Sequence, residues 1–107
     1  MSVIMTLRVP GDPKAVERMA QEDPERMQRI TGLAKSHGLI AHRFYGAPGQ
    51  LLVIDEWPDA ESFQRFSEEA RSEIEPMMAE VGVTAEPEVT FWRELDSHDA
   101  FGWGAED

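Results

Sequence analysis

The stretch Leu51-Leu52-Val53-Ile54-Asp55-Glu56-Trp57-Pro58-Asp59-Ala60-Glu61-Ser62-Phe63-Gln64-Arg65-Phe66 decides the fold. An apolar strand over 51–57 runs into a Trp-Pro-Asp corner, and a helix starts at once. Asp59 is placed to cap that helix, with Ala60, Phe63 and Phe66 on its apolar side. Upstream, Gly46-Ala47-Pro48-Gly49 is turn chemistry and joins this strand to another over 39–45, giving a hairpin. Before the hairpin, two Asp-Pro pairs each match an N-cap followed by proline at the first helical position. They split the first helical region into pieces at 13–21 and 24–37, stopped by Gly38. Val3 to Val9 reads as the first strand, ended by Pro10-Gly11. Downstream, Pro76 predicts a break in the second helical region near Ser72 to Pro76. That helix resumes through Met77, Met78 and Val81 and stops at Gly82. Glu88 to Leu95 is the last strand. The order βαββαβ makes one antiparallel sheet with helices on one face, an α+β domain over 1–95. Residues 96–107 form an acidic tail carrying Phe101 and Trp103.

At 107 residues the chain is one domain with a modest core of its own. Ten Lys and Arg stand against 21 Asp and Glu, a net charge of -11. Such a surface repels phosphate backbones and anionic lipid, so neither nucleic acid nor a membrane surface is expected as a partner. There is no cysteine, which excludes disulfides, thiolate metal sites and cysteine nucleophiles. His37, His42 and His98 lack metal-ligand spacing, and no metal is expected. No apolar run approaches the roughly 20 residues of a membrane span, and residues 1–8 do not resemble a signal peptide. A cytoplasmic location is the expectation.

Parity along the strands divides the sheet into two faces. Val3, Met5, Leu7 and Val9, with Leu52 and Ile54, and with Val89, Phe91 and Leu95, form a nearly all-apolar set assigned to the helices. The opposite set mixes Thr6 and Arg8, Val53, Asp55 and Trp57, and Thr90, Trp92 and Glu94. A face carrying Ile4, Val53, Trp57 and Trp92 together does not stay wet. It is expected to line a partly enclosed cavity and to be covered by a second copy of the chain. The second strand depends on register: His42 and Phe44 share one side, Ala41, Arg43 and Tyr45 the other, and a one-residue slip exchanges them. The reading adopted puts His42 and Phe44 towards the cavity, with His42 across from Asp55.

The strand order and the segment Asp55-Glu56-Trp57-Pro58-Asp59-Ala60-Glu61-Ser62-Phe63 resemble the dimeric α/β-barrel superfamily, and within it the antibiotic-biosynthesis monooxygenase-like domains. The resemblance covers residues 2 to 95. It implies a ferredoxin-like fold whose protomers pack sheet on sheet as a homodimer. Among the activities it implies are cofactor-independent oxygenation of polycyclic phenols and degradation of haem. The haem-degrading members use an asparagine on the first strand, a tryptophan on the second helix and a ligating histidine beyond it. This chain has no asparagine, Phe66 stands at the tryptophan position, and no histidine lies near Met77 and Met78. Haem degradation of that type is not expected. The monooxygenases also commonly use an asparagine, so only their aromatic part survives here, in Trp57 and Trp92.

His42 with Asp55 is the sharpest chemical candidate. A carboxylate beside a histidine fixes its tautomer and stabilises the imidazolium. Such a pair takes a proton from a phenol or an acidic carbon, and the resulting carbanion reacts with oxygen without metal or flavin. The plainer alternative is a cross-strand hydrogen-bonded pair. Thr6, Arg8, Phe44, Trp57 and Trp92 are the candidate substrate-binding residues. Arg8, or Arg43 or Arg93, would hold an anionic group or else pair at a sheet edge with Glu56, Glu88 or Glu94. The tryptophans would stack on a flat ligand or fill a dimer core. Phe101 and Trp103 either reach a partner protomer, cover the cavity or hang free. The functional expectation is a cofactor-independent monooxygenase or related enzyme with its cavity between sheet and helices, acting on a small aromatic or polyketide-like compound. The alternative is a non-catalytic dimer that binds a small apolar molecule.

Overall fold

The computed structural model describes residues 1–104; the last three residues of the tail fall outside the described residues. Four strands and three helices follow one another as β1 (Val3–Pro10), α1 (Pro13–Glu22), α2 (Pro24–Ser36), β2 (Ala41–Ala47), β3 (Gln50–Trp57), α3 (Ala60–Glu80) and β4 (Glu88–Trp92). The sheet is antiparallel with spatial order β2-β3-β1-β4, which is the ferredoxin-like arrangement.

Three aspartates set the helix starts. Asp12 accepts from the Lys14 amide at 3.0 Å, Asp23 from the Arg26 amide at 3.2 Å and Asp59 from the Ser62 amide at 2.7 Å. The Ser62 amide, and then the Ser62 hydroxyl, hold the Asp59 carboxyl below the usual carboxylate range. That cap is fully present above the ordinary carboxylate pKa and is lost as pH falls through the lowered value.

Pro76 does not break the second helical region: α3 is continuous over Ala60–Glu80 with the proline inside it. Proline costs about 3 kcal/mol in a helix interior. Here Phe63, Phe66 and Ala70 before it and Met77 after it are all buried against the sheet, and a break would expose part of that surface.

The hairpin turn is also shorter than expected. Ala47 pairs with Gln50, so the turn is Pro48-Gly49 alone, with Gly49 at φ 76°. Gly46 belongs to β2 for a different reason: a Cβ there would lie 2.6 Å from Cβ of Pro13, the first residue of α1. The missing side chain lets α1 start against the strand. Gly46→Ala should therefore cost about 1–3 kcal/mol by overpacking, read from urea denaturation. Unchanged stability would mean that α1 lifts off the strand freely.

The face assignment is corrected on β3 and at the end of β4, which stops at Trp92, so that Leu95 lies beyond the sheet and is exposed instead of under the helices. Met5 pairs with Asp55, Leu7 with Val53 and Val9 with Leu51, so Leu51, Val53, Asp55 and Trp57 lie on the helix side. Leu52 and Ile54, expected there, lie on the outer face beside Thr6 and Arg8. Both parities of β3 are apolar at its start, and Asp55 and Glu56 put one carboxylate on each. The assignments of β1 and of Val89 and Phe91 hold. The core sits under the helices in two clusters, one around Met5, Trp57, Phe63 and Phe66, the other around Val9, Val16, Leu51 and Met77.

Candidate active site

His42 pairs with Asp55 across the β2–β3 ladder, as the adopted register requires. Its Nδ1 lies 2.6 Å from Asp55 Oδ1. The other carboxylate oxygen, Oδ2, accepts from Trp57 Nε1 at 3.1 Å. Asp55 is 6% exposed, a nearly full burial for a carboxylate. Burial of this kind requires partners on both oxygens, and both are supplied. An ionised carboxylate only accepts, so in that state of Asp55 the proton of this bond sits on His42 Nδ1, and a neutral ring then has its lone pair at Nε2. No described residue hydrogen-bonds Nε2. Phe44 stands edge-on to the imidazole at a centroid distance of 6.5 Å.

Trp57 is completely buried. Its ring packs against Phe66 at 5.5 Å and Phe63 at 5.7 Å between centroids. It sits behind the His42–Asp55 pair as a brace and does not line the cavity. Two strands and one helix thus position three side chains in series: indole, carboxylate, imidazole.

His42 and Phe44 line a cavity of about 570 Å³ between the sheet and the helices. Its floor is made by all four strands, with Phe44, Val53, Leu7 and Val89 among the contributors. The roof comes from α2 and α3, and the segment from Val83 to Pro87 closes part of one side. Met27 and Ile30 of the roof belong to an apolar stripe at helical spacing on α2, whereas Ile74 and Met78, and Arg71 with Glu75 at the flank, were not anticipated from the sequence as cavity lining. Their signal was a second column on α3, at Ser67, Arg71, Ile74 and Met78, running beside the buried stripe of Phe63, Phe66, Ala70 and Met77.

Thr6, Arg8 and Trp92 are on the opposite face of the sheet from His42. Trp92 donates from Nε1 to Thr6 Oγ1 at 2.7 Å. Arg8 pairs with Glu88 of the neighbouring strand at 2.8 Å, the edge alternative. This outer face is apolar at Ile4, Leu52, Ile54 and Trp92, and Trp92 is 53% exposed. Phe101 and Trp103 are fully exposed and do not touch the cavity. No helix among the described residues is long and apolar enough to cross a membrane.

No family model matches the chain, and no curated protein matches it. Solved structures do. A monooxygenase from the gene ActVA-Orf6 of Streptomyces coelicolor, in complex with nanaomycin D, superposes with a TM-score of 0.65 at 10% identity, over 88% of each chain. SnoaB of Streptomyces nogalater, described as a cofactor-independent oxygenase, gives 0.59 at 15% identity over 92% of this chain and 98% of its own. A dimeric ferredoxin-like protein from an uncultured marine organism gives 0.61 at 13% identity over 85% of each chain.

The chain has their fold.

The ferredoxin-like arrangement expected from the strand order is therefore shared with these proteins and with solved structures described as antibiotic biosynthesis monooxygenases, all of very different sequence. At such identities the likeness concerns the backbone.

Proposed function

We propose that this protein is a cofactor-independent monooxygenase, or a closely related enzyme, acting on a small aromatic or polyketide-like compound held in the helix-side cavity. The observation that carries the reading is a histidine at the wall of an apolar cavity, bonded at Nδ1 to a buried carboxylate and free at Nε2. The likeness in fold to SnoaB, described as a cofactor-independent oxygenase, supports it.

The chemistry balances with oxygen alone. His42 Nε2 accepts the proton of a phenolic hydroxyl, and Asp55 stabilises the imidazolium. The phenolate places electron density on a ring carbon, which forms a bond to one atom of dioxygen. Loss of the ring hydrogen with cleavage of the O–O bond gives a quinone. The second oxygen atom leaves as water with the two hydrogens. The substrate loses four electrons and dioxygen takes them up. Trp57 acts here as a positioning residue through Asp55, and Phe44 as a wall for the flat ring.

The test is oxygen uptake and quinone absorbance with a panel of mono- and dihydroxy-polycyclic substrates. Turnover with at least one, dependent on His42, is expected. No uptake with any of them, together with tight binding that survives His42→Ala, would instead favour a non-catalytic carrier of a small apolar molecule. The apolar walls at Leu7, Ile30, Phe44, Val53 and Ile74 speak for that second reading.

We further infer that the working form is a homodimer joined through the outer face of the sheet. Ile4, Leu52, Ile54 and Trp92 form an apolar patch there that the chain itself leaves uncovered. Ile54→Asp, on a central strand, should convert a dimer to a monomer in sedimentation experiments and expose Trp92 to quenchers. A wild-type monomer at micromolar concentration would end the dimer reading.

A further inference from the structure

The cavity runs across the strands, from His42 on β2 to Val89 on β4. Three interstrand spacings separate those strands, about 14 Å. The two ends differ in chemistry. At the β4 end stands Arg71, and among the described lining residues it is the one permanent cation.

Its position follows from the way α3 divides its flanks. Glu69, Glu73 and Glu80 face α2, where they pair with His37, Arg29 and Arg26. Arg71 lies roughly 160° round the axis from Glu73, on the flank turned towards β4. Glu75, one turn on, is its single ion-pair partner among the described residues, at 3.8 Å, with the side chains 67% and 74% exposed. A contact this long is not a hydrogen bond, and at such exposure it is weak. The guanidinium fork is thus largely uncommitted at the rim of an apolar cavity. In a chain of net charge -11 such a cation offsets the repulsion that an anionic ligand meets at the rim. Glu86 also faces the rim and, like Glu75, opposes an anion there.

We propose that Arg71 is a specificity-determining residue that takes the carboxylate of an elongated aromatic acid, with the ligand's reactive ring placed at His42. A planar fork binds a carboxylate through two parallel hydrogen bonds, which fixes both the distance and the orientation of the ring system. The inference rests on the proposed oxygenase only for the role of the His42 end. The preference for an acid stands on the rim itself.

The experiment is an anaerobic fluorescence titration with two matched probes, anthracene-2-carboxylate and anthracene-2-carboxamide. The full chain should bind the acid about tenfold more tightly than the amide. Arg71→Gln should remove that difference and leave the amide affinity unchanged, while Arg71→Lys keeps part of it. Glu75→Gln, which frees the guanidinium, should tighten the acid about two- to threefold. Equal binding of acid and amide by the wild type, binding of neither, or an equal loss of both in Arg71→Gln would overturn the proposal. Because no turnover is read, the two ideas fail separately. A preserved acid preference without oxygen uptake sinks the oxygenase alone, and His42-dependent turnover without an acid preference sinks the role of Arg71 alone.

Discussion

Trp57→Ala is expected to unfold the domain at room temperature or leave it molten. The side chain is completely buried and packs against Phe63 and Phe66 in one of the two core clusters. Truncating such an aromatic costs about 3–5 kcal/mol through lost burial and the cavity left behind. The indole also donates to Asp55 Oδ2. Its removal leaves a buried carboxylate oxygen without a partner, which adds about 1–3 kcal/mol. A small domain holds roughly 5–15 kcal/mol in all. Trp57→Phe separates the two contributions: most of the ring volume stays and only the donor is lost, so a loss of about 1–3 kcal/mol is expected. Urea denaturation followed by circular dichroism reads both. A folded Trp57→Ala of near wild-type midpoint would contradict the bracing role and return the indole to the status of a removable wall.

His42→Ala should do the reverse, leaving the fold and removing the chemistry. The side chain is 35% exposed on an edge strand, so its truncation opens little of the core. Asp55 keeps the Trp57 donor, and the cavity can supply water to its other oxygen. Turnover, however, loses its base, and a fall of about 10²–10⁴-fold in oxygen uptake is expected. His42→Gln retains a donor towards Asp55 but offers no basic nitrogen, and should be as inactive as alanine. Wild-type rates in either variant, at matched substrate occupancy, would remove His42 from the mechanism.

Much of this arrangement was legible because local chemistry and long-range pairing agree. The Asp-Pro pairs at 12–13 and 23–24 are both cap and helix start, and both helices begin where they say. The hairpin itself was legible from its turn residues, but its register was open to a one-residue slip; the two-residue turn at Pro48-Gly49 is what sets His42 opposite Asp55. The outward assignment of β3 failed for a physical reason. In Leu51-Leu52-Val53-Ile54 the alternation carries no signal, and Asp55 and Glu56 put one carboxylate on each parity, so neither face stood out as the polar one. Yet Asp55 is inside, since its two partners satisfy it better than water would without exposing Trp57. Thr6, Arg8 and Trp92 were grouped with it by the same step, and they lie across the sheet. The rim at Arg71 and Glu75 was invisible for another reason. Residues flanking a helix's buried stripe look like any solvated surface until the segment over 83–87 is seen to line the same cavity with them.

The division of labour along α3 has a consequence for how this scaffold can change. One side of the rod is tethered to its neighbour by Glu69, Glu73 and Glu80, and its underside anchors the core. Ser67, Arg71 and Glu75, on the remaining flank, carry neither duty. Those positions form a dial for ligand choice that turns without loosening the frame, so a randomised library confined to them should yield folded proteins of altered preference at a high rate.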